Sequence, residues 1–478
     1  MTRETVVQLV WEPVIGQTDL LRLAALTVVC GILLIAVFLT QIASPPVTIE
    51  GWQVATLVVA GSLVAIGIDI TTRVEDPPLD SIIITALTGI VLLERLGRYR
   101  DPHVLAGEFT VLEPLFVLLI LFAFAISYPD PRSIPRRQWP FIGAFAVVAT
   151  MFIAHLYTLP SDSLVPMWPI WAVITAGVVL LVIPRVIPEL VFLWTLAVLA
   201  AGIALIAIAS AVIGEFTLVG VEVGVSRKTV PLIGSDVVGW SAHAAIFNNP
   251  NVLGLVAFAG LAASTISAYR AQTIRVRTIA SGLIVLTGVG LVLSSSGVAW
   301  VAATVTIGTY TAYATFGRRA VLPTIILGAF ATVVLLANIA AGALPVDDSG
   351  RLIRWRASIE AFQADPAIVG HGHISTAHFI EPYLEGRAPS TPHNSYLSIL
   401  LRFGVIGLIA YAVLVIGVII ERAYNYQTAN IGMLAFALGW ATHHLFESYT
   451  LVQWTIPAVL SALVVGYLIV DVSAPEYS

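Results

Sequence analysis

The chain has 478 residues, 58% of them hydrophobic and 11% charged, with a mean hydropathy of +0.94 and a formal net charge of -5. That balance excludes a soluble globular domain and describes a polytopic membrane protein, whose apolar residues face lipid or neighbouring helices. A single cysteine, Cys30, excludes a disulfide framework within one chain.

Apolar stretches of about twenty residues recur along the chain, cut by short loops rich in Pro, Gly and Arg. The first, near Leu20–Ile42, is long enough to span a bilayer and is followed by further spans, so it reads as a transmembrane helix and not as a cleavable signal peptide. About fourteen spans are expected, centred near residues 31, 60, 87, 118, 148, 177, 200, 260, 284, 306, 332, 412, 437 and 461. The fold class is thus all-α: a polytopic membrane protein of about 12–14 transmembrane helices with one large extracytoplasmic loop containing short helices.

Arginine asymmetry orients the spans. With a cytoplasmic N-terminus, the inner loops carry Arg73, the group Arg132, Arg136 and Arg137, then Arg185, the group Arg270, Arg275 and Arg277, the pair Arg318 and Arg319, and Arg422. Arg95, Arg98 and Arg100 fall outside and count against this arrangement. The outer side then receives Gly214–Asn249, the tight turn Ser294–Gly297, and the longest polar stretch, Pro345–Arg402, which leads into a span from about Phe403. That stretch holds five arginines and four of the nine histidines. All nine histidines, among them His103, His155, His243, His443 and His444, lie outside or at the outer membrane edge.

Within the outer loop, Asp347-Asp348-Ser349-Gly350 precedes a segment in which Leu352, Trp355, Ile359 and Phe362 recur at three- and four-residue spacing. This spacing predicts a helix with one apolar face, capped by Asp348 or Ser349 and ending before Asp365-Pro366. Arg351, Arg354 and Ser358 share another face. Two guanidinium groups beside a helix N-terminus suit an anion; equally, they suit lipid phosphates or the neighbouring aspartates. His393 can serve as a general base, since imidazole titrates near neutral pH. It can also join His371, His373 and His378 around a metal, or sit at the membrane interface. The His-x-His spacing has no His-Glu-x-x-His partner and no cysteine beside it, which makes a weak metal signal. Asn249 and Asn251 either cap the helix that follows or contact substrate.

Four pieces of the second half, in order, resemble the O-antigen ligase and O-antigen polymerase superfamily, which includes bacterial protein O-oligosaccharyltransferases. The first is Phe247-Asn248-Asn249-Pro250-Asn251-Val252-Leu253-Gly254, like the family's Asn-Pro-Asn stretch opening a transmembrane helix. The second, Leu293-Ser294-Ser295-Ser296-Gly297-Val298-Ala299-Trp300, is like its Ser-Arg-Gly turn. The third is Ser349-Gly350-Arg351 with Trp355, Phe362, Pro366 and Gly370-His371-Gly372. The fourth is His393-Asn394-Ser395-Tyr396-Leu397 followed by Gly404 and Gly407, with His444-Leu445-Phe446-Glu447 as a fainter echo.

The resemblance implies a membrane glycosyltransferase that moves a glycan from a polyprenyl-diphosphate carrier to a glycan, lipid or protein acceptor on the outer face of the cell membrane. It implies no cofactor, no metal and no nucleic acid, and an O-antigen or exopolysaccharide polymerase is the alternative within the superfamily. The chain divides accordingly into N-terminal transmembrane helices, 1–213, and a catalytic membrane region, 214–478, with outer loop 345–402. His393 is the candidate base and Arg351 the candidate diphosphate ligand. Arg354, Arg356, Arg387 and Asn394 are candidate substrate contacts, as are Asn251 and Ser296. Ser296 stands where the family often has arginine, and Arg227 or Lys228 can supply the missing charge or form a solvated pair. A lipid-linked glycan flippase or transporter is the reading from another class. Transporters place charge mid-span, whereas Asp69, Glu94, Glu113 and Glu447 fall near span edges here.

Overall fold

The computed structural model describes residues 134–155, 168–186, 189–218, 221–231, 239–247, 249–340, 350–373, 375–384, 391–452 and 455–471. The expected spans near 31, 60, 87 and 118 lie outside the described residues. So do Cys30, Asp69, Arg73, Glu94, Arg95, Arg98, Arg100, His103, Glu113, Arg132, Asp347, Asp348, Ser349 and Arg387.

The described chain is helical nearly throughout, and every expected span from 148 onward falls on a helix. Helix α1 is Trp139–Ala154. Helix α2, Trp168–Gly177, continues through a π-helical segment, Val178–Val182, into α3, Ile183–Val186. Then come α4, Glu189–Ile213, α5, Pro250–Arg270, α6, Ile274–Ser294, α7, Gly297–Phe316, and α8, Val321–Ala340. After the outer loop, α11, Ser395–Ala412, passes through a second π segment, Val413–Gly417, into α12, Val418–Tyr424. Helices α13, Ile431–His444, and α14, Ile456–Asp471, close the bundle. Five of the helical segments among the described residues are long and apolar enough to cross a bilayer. The chain is an all-α polytopic membrane protein.

Helix α5 is the axis of the bundle. Its apolar span is 89% buried, against 22% for α6. Small residues let the backbones approach, as packing without a hydrophobic drive between helices requires. A Cβ on Gly260 would meet the Ala200 Cβ of α4 at 2.2 Å, and one on Gly439 would meet the Thr306 hydroxyl of α7 at 2.1 Å.

The two ends of the bundle differ in chemistry. At one end Arg270 spans from Glu189, 2.8 Å, to the Asn430 side-chain Oδ1, 2.7 Å. The Asn430 backbone N–H donates to Asp471, 2.8 Å, which also pairs with Arg422 at 3.1 Å. Arg318 donates to the carbonyls of Tyr426 and Ala429. This end gathers Arg185, Arg270, Arg318 and Arg422, the arginines expected on the inner side. The opposite end carries the sheet and the loop helices.

Gly214–Asn249 was not expected to be strand, yet it holds a three-stranded antiparallel sheet in the order β1, Phe216–Leu218, β2, Val221–Pro231, and β3, Gly239–Ala245. Phe216 pairs with Val223 and Leu218 with Val221; Val225 pairs with His243 and Pro231 with Gly239, with register shifts between Gly224 and Thr229. Buried His243 bonds the Ser210 hydroxyl near the end of α4 at 3.0 Å, which fixes the sheet to the bundle. Burial also holds its imidazole below the usual range and hence neutral.

Two sequence expectations about the outer loop are corrected. The span does not begin near Phe403: α11 starts at Ser395 and runs through Arg402, with a break at Gly404, φ 66° and ψ -164°. Helix α9, Arg351–Ala364, does end at Asp365, but its buried face is Ala357, Ser358 and Ala361. Ile359 is 46% exposed. Small alanines allow close contact with α10, Thr376–Ile380, and with Leu401 of α11, so volume and not hydrophobicity alone chose the face.

Candidate functional site

At the sheet-bearing end, three residues from distant parts of the chain meet on the carboxylate of a fourth. Glu447 lies just past α13. Its Oε1 accepts from Arg351 Nη2 at 3.2 Å and from Asn251 Nδ2 at 3.3 Å. Its Oε2 lies 3.3 Å from His393 Nδ1. A carboxylate at its usual charge can only accept, so this contact puts the proton on Nδ1 and leaves Nε2 as the basic nitrogen. Arg351 is further held by the Phe446 carbonyl, which its Nε reaches at 3.1 Å. The side chains of Arg351 and Glu447 are 16% and 17% exposed, and that of His393 is 31% exposed, so the cluster is sheltered but open on the histidine side.

Local sequence builds each arm. Asn249 is the N-cap of α5, its side chain accepting from the Asn251 backbone N–H at 2.9 Å with Pro250 in the first turn. Of the two asparagines left open by the sequence, Asn249 therefore takes the cap and Asn251 reaches the carboxylate. Arg351 is the first residue of α9, behind Gly350, whose φ of 72° suits glycine. His393 adopts φ 49°, a left-handed conformation that costs a non-glycine residue about 1 kcal/mol. Its neighbour recovers that cost. Asn394, 6% exposed, caps α11 through the Leu397 N–H at 3.0 Å and donates to the Leu445 carbonyl at 2.9 Å.

The segment carrying Glu447 is laced to the start of α11. The Ser395 hydroxyl donates to the Glu447 carbonyl at 2.7 Å and accepts from the Tyr449 N–H at 3.2 Å. Ser448 Oγ accepts from the Asn394 N–H at 3.0 Å and meets Ser398 Oγ at 3.1 Å. The ring of Trp355 packs on Phe446 at 5.8 Å. Burial pushes the Glu447 carboxyl up, but the hydrogen bond from His393 and the nearby His443, His393 and Arg351 side chains outweigh it and hold the carboxyl below its usual range.

The other expected site residues are placed less uniformly. Ser296 is 2% exposed and packs beneath the cluster: a Cβ on Gly254, one turn below Asn251, would lie 2.5 Å from the Ser296 Cβ. Arg354 sits on α9 one turn beyond Arg351, with its carbonyl bonded by Ser358. Arg356 points elsewhere, 81% exposed and paired with Glu360 at 2.8 Å. Arg227 and Lys228 belong to β2, and their side chains are outside the described residues. Asn394 has its amide committed to the Leu397 N–H of α11 and the Leu445 carbonyl.

His371, His373 and His378 are not brought to His393. His373 Nε2 reaches the Phe152 carbonyl at 2.7 Å and its Nδ1 faces Arg402 at 3.4 Å. His371 and His378 both lie against Phe379. Among the described residues no three His, Cys, Asp or Glu side chains converge at metal-ligand range.

Sequence reasoning did not place Glu447 in the site. It lies 54 residues from His393 and 96 from Arg351, and a single acidic residue at the end of an apolar span reads as an edge charge. No curated protein matches the chain. Residues 282–412 match the family model described as O-antigen ligase, a stretch that contains Ser296, Arg351, His393 and Asn394. Over that stretch the chain is similar to the O-antigen ligase family, and the membrane bundle that carries it is consistent with that likeness.

Proposed function

We propose that the protein transfers a glycan from a polyprenyl-diphosphate carrier to an acceptor hydroxyl on the extracytoplasmic face of the cell membrane. The observation that carries this reading is the convergence of Arg351, His393 and Asn251 on Glu447. A guanidinium and an imidazole are thereby held a few ångströms apart around one carboxylate. The arginine-rich opposite end supports an outward-facing site, since positive charge is retained on the cytoplasmic side.

In the reaction, the acceptor oxygen forms a bond to the anomeric carbon as that carbon's bond to the diphosphate oxygen breaks. The bonding pair leaves on the diphosphate. Its growing charge is met by the planar guanidinium of Arg351, whose attraction strengthens as the bond lengthens. The acceptor proton passes to His393 Nε2 and then to water. The acceptor can be a lipid, a growing polysaccharide or a protein side chain.

The test uses purified full-length protein in lipid nanodiscs with lipid-linked oligosaccharide and a hydroxyl acceptor. His393→Ala and Arg351→Ala are each expected to lower kcat/KM by at least about a hundredfold. Full activity in both variants overturns the site. A deletion strain that accumulates unlinked lipid-bound polymer indicates a ligase, and one that accumulates single repeat units a polymerase.

A further inference from the structure

Glu447 is shared. Its two oxygens serve Arg351, Asn251 and His393 at 3.2, 3.3 and 3.3 Å, all longer than the ~2.8 Å of a committed charge-assisted hydrogen bond. The groups that face it come from every side of the cluster: Arg351 from α9, Asn251 from α5, His393 from the turn before α11, and His443 from α13. Its backbone is pinned, because its carbonyl accepts from Ser395 and the flanking Ser448 and Tyr449 are bonded to the same helix start. The carboxylate therefore cannot follow Arg351 if that guanidinium turns to another anion.

A diphosphate is such an anion. It carries more charge than one carboxylate and presents oxygens in the geometry a guanidinium fork prefers. Once it occupies Arg351, the Glu447 carboxylate keeps only Asn251 and His393 as its nearest partners. We propose, building on the transfer reaction inferred above, that Glu447 is a positioning residue that changes partners: it neutralises Arg351 in the empty site, and donor binding releases it to fix the His393 ring with Nε2 toward the acceptor. The contact with His393, already made in the empty site, is then no longer shared with Arg351. No bond is made or broken in this step; one ion pair is exchanged for another.

The charge-removing, shape-keeping variant Glu447→Gln separates the two halves of this role. With its competitor gone, Arg351 binds diphosphate more tightly, so the Kd for inorganic pyrophosphate, read by calorimetry on nanodisc-embedded protein, falls about threefold to tenfold. Catalysis weakens in the same variant: kcat falls about tenfold to a hundredfold, because the His393 ring is no longer held by a charged partner. A role in folding alone would weaken binding and turnover together. Pyrophosphate binding unchanged or weakened in Glu447→Gln, or an unchanged kcat, overturns the exchange. Should Glu447→Gln fail to fold, Glu447→Asp keeps the charge but withdraws it by one methylene, and the same two signs are expected at smaller size. Wild-type activity in His393→Ala defeats the underlying site, whereas an inactive His393→Ala beside a Glu447→Gln that moves neither quantity defeats the exchange alone.

Discussion

Gly404→Ala tests how the outer loop is fastened to the membrane helix that carries His393. Gly404 breaks α11 with φ 66° and ψ -164°, a region open essentially to glycine, and the outer loop threads against that break. The Ile406 N–H donates to the Ile368 carbonyl at 3.2 Å, the His371 N–H to Leu401 at 3.2 Å, and the Gly372 N–H to Arg402 at 2.7 Å. A Cβ on Gly404 would stand 2.2 Å from the Ile368 oxygen, and one on Gly370 would stand 2.4 Å from the Arg402 oxygen. Neither neighbour is a flexible side-chain tip, so the loop backbone must lift. The forced dihedral costs about 1–3 kcal/mol, and each backbone hydrogen bond lost costs about 1 kcal/mol more. A destabilisation of about 3–5 kcal/mol is expected, visible as a fall of several degrees in the melting temperature of purified protein in nanodiscs. Gly282→Ala is the control, since nothing lies within 4 Å of its added Cβ. Glycosyl transfer in the surviving Gly404→Ala protein should fall as well, because α11 carries His393 at its head. If Gly404→Ala melts with the wild type while Gly282→Ala does too, the loop is not fastened through this break.

Two further outcomes follow from contacts away from the cluster. Burial, partly offset by the hydrogen bond to Phe152, lowers the His373 pKa to about 4, so the folded state keeps this ring neutral while the unfolded chain takes up a proton below the ordinary imidazole value of 6.5. Stability contributed by the neutral ring is therefore complete above about 6.5 and is lost as pH falls toward 4; thermal melts across that window should lose this slope in His373→Gln, and an identical slope in both proteins refutes the assignment. Gly254→Ala forces a methyl against Ser296 and should cost about 1–3 kcal/mol, most of it restored in the double variant Gly254→Ala with Ser296→Gly. Additive losses in that cycle would show that the two residues do not touch.

How much could be read from the sequence depended on the range of the interaction. Helical spans were legible because hydrocarbon leaves the backbone no other way to satisfy its hydrogen bonds, so twenty apolar residues suffice to announce one. Arg351 and His393 were legible because their residue types match the chemistry and their surroundings match a known family. The β2 strand had a local signal that went unused: Val221, Val223 and Val225 alternate with Glu222 and Gly224 at the two-residue period of a strand. Glu447 had only a faint local signal, the His444-Leu445-Phe446-Glu447 run. Its role exists only through partners 54 to 196 residues away, and nothing in Leu445-Phe446-Glu447 says which they are. The buried face of α9 misled for another reason: the large apolar residues set the periodicity, but the alanines set the distance of closest approach.

The ion-paired end of the bundle has a mechanical consequence. Glu189, Arg270, Asn430 and Asp471 join α4, α5, α13 and α14 through a chain of charged contacts. With the Arg270 side chain 34% exposed, its pair with Glu189 contributes about 1 kcal/mol or less, so the tie lies in the number of contacts and not in any one of them. Helices far apart in sequence are thus tied to one another at the arginine-bearing end by side chains that cross between them.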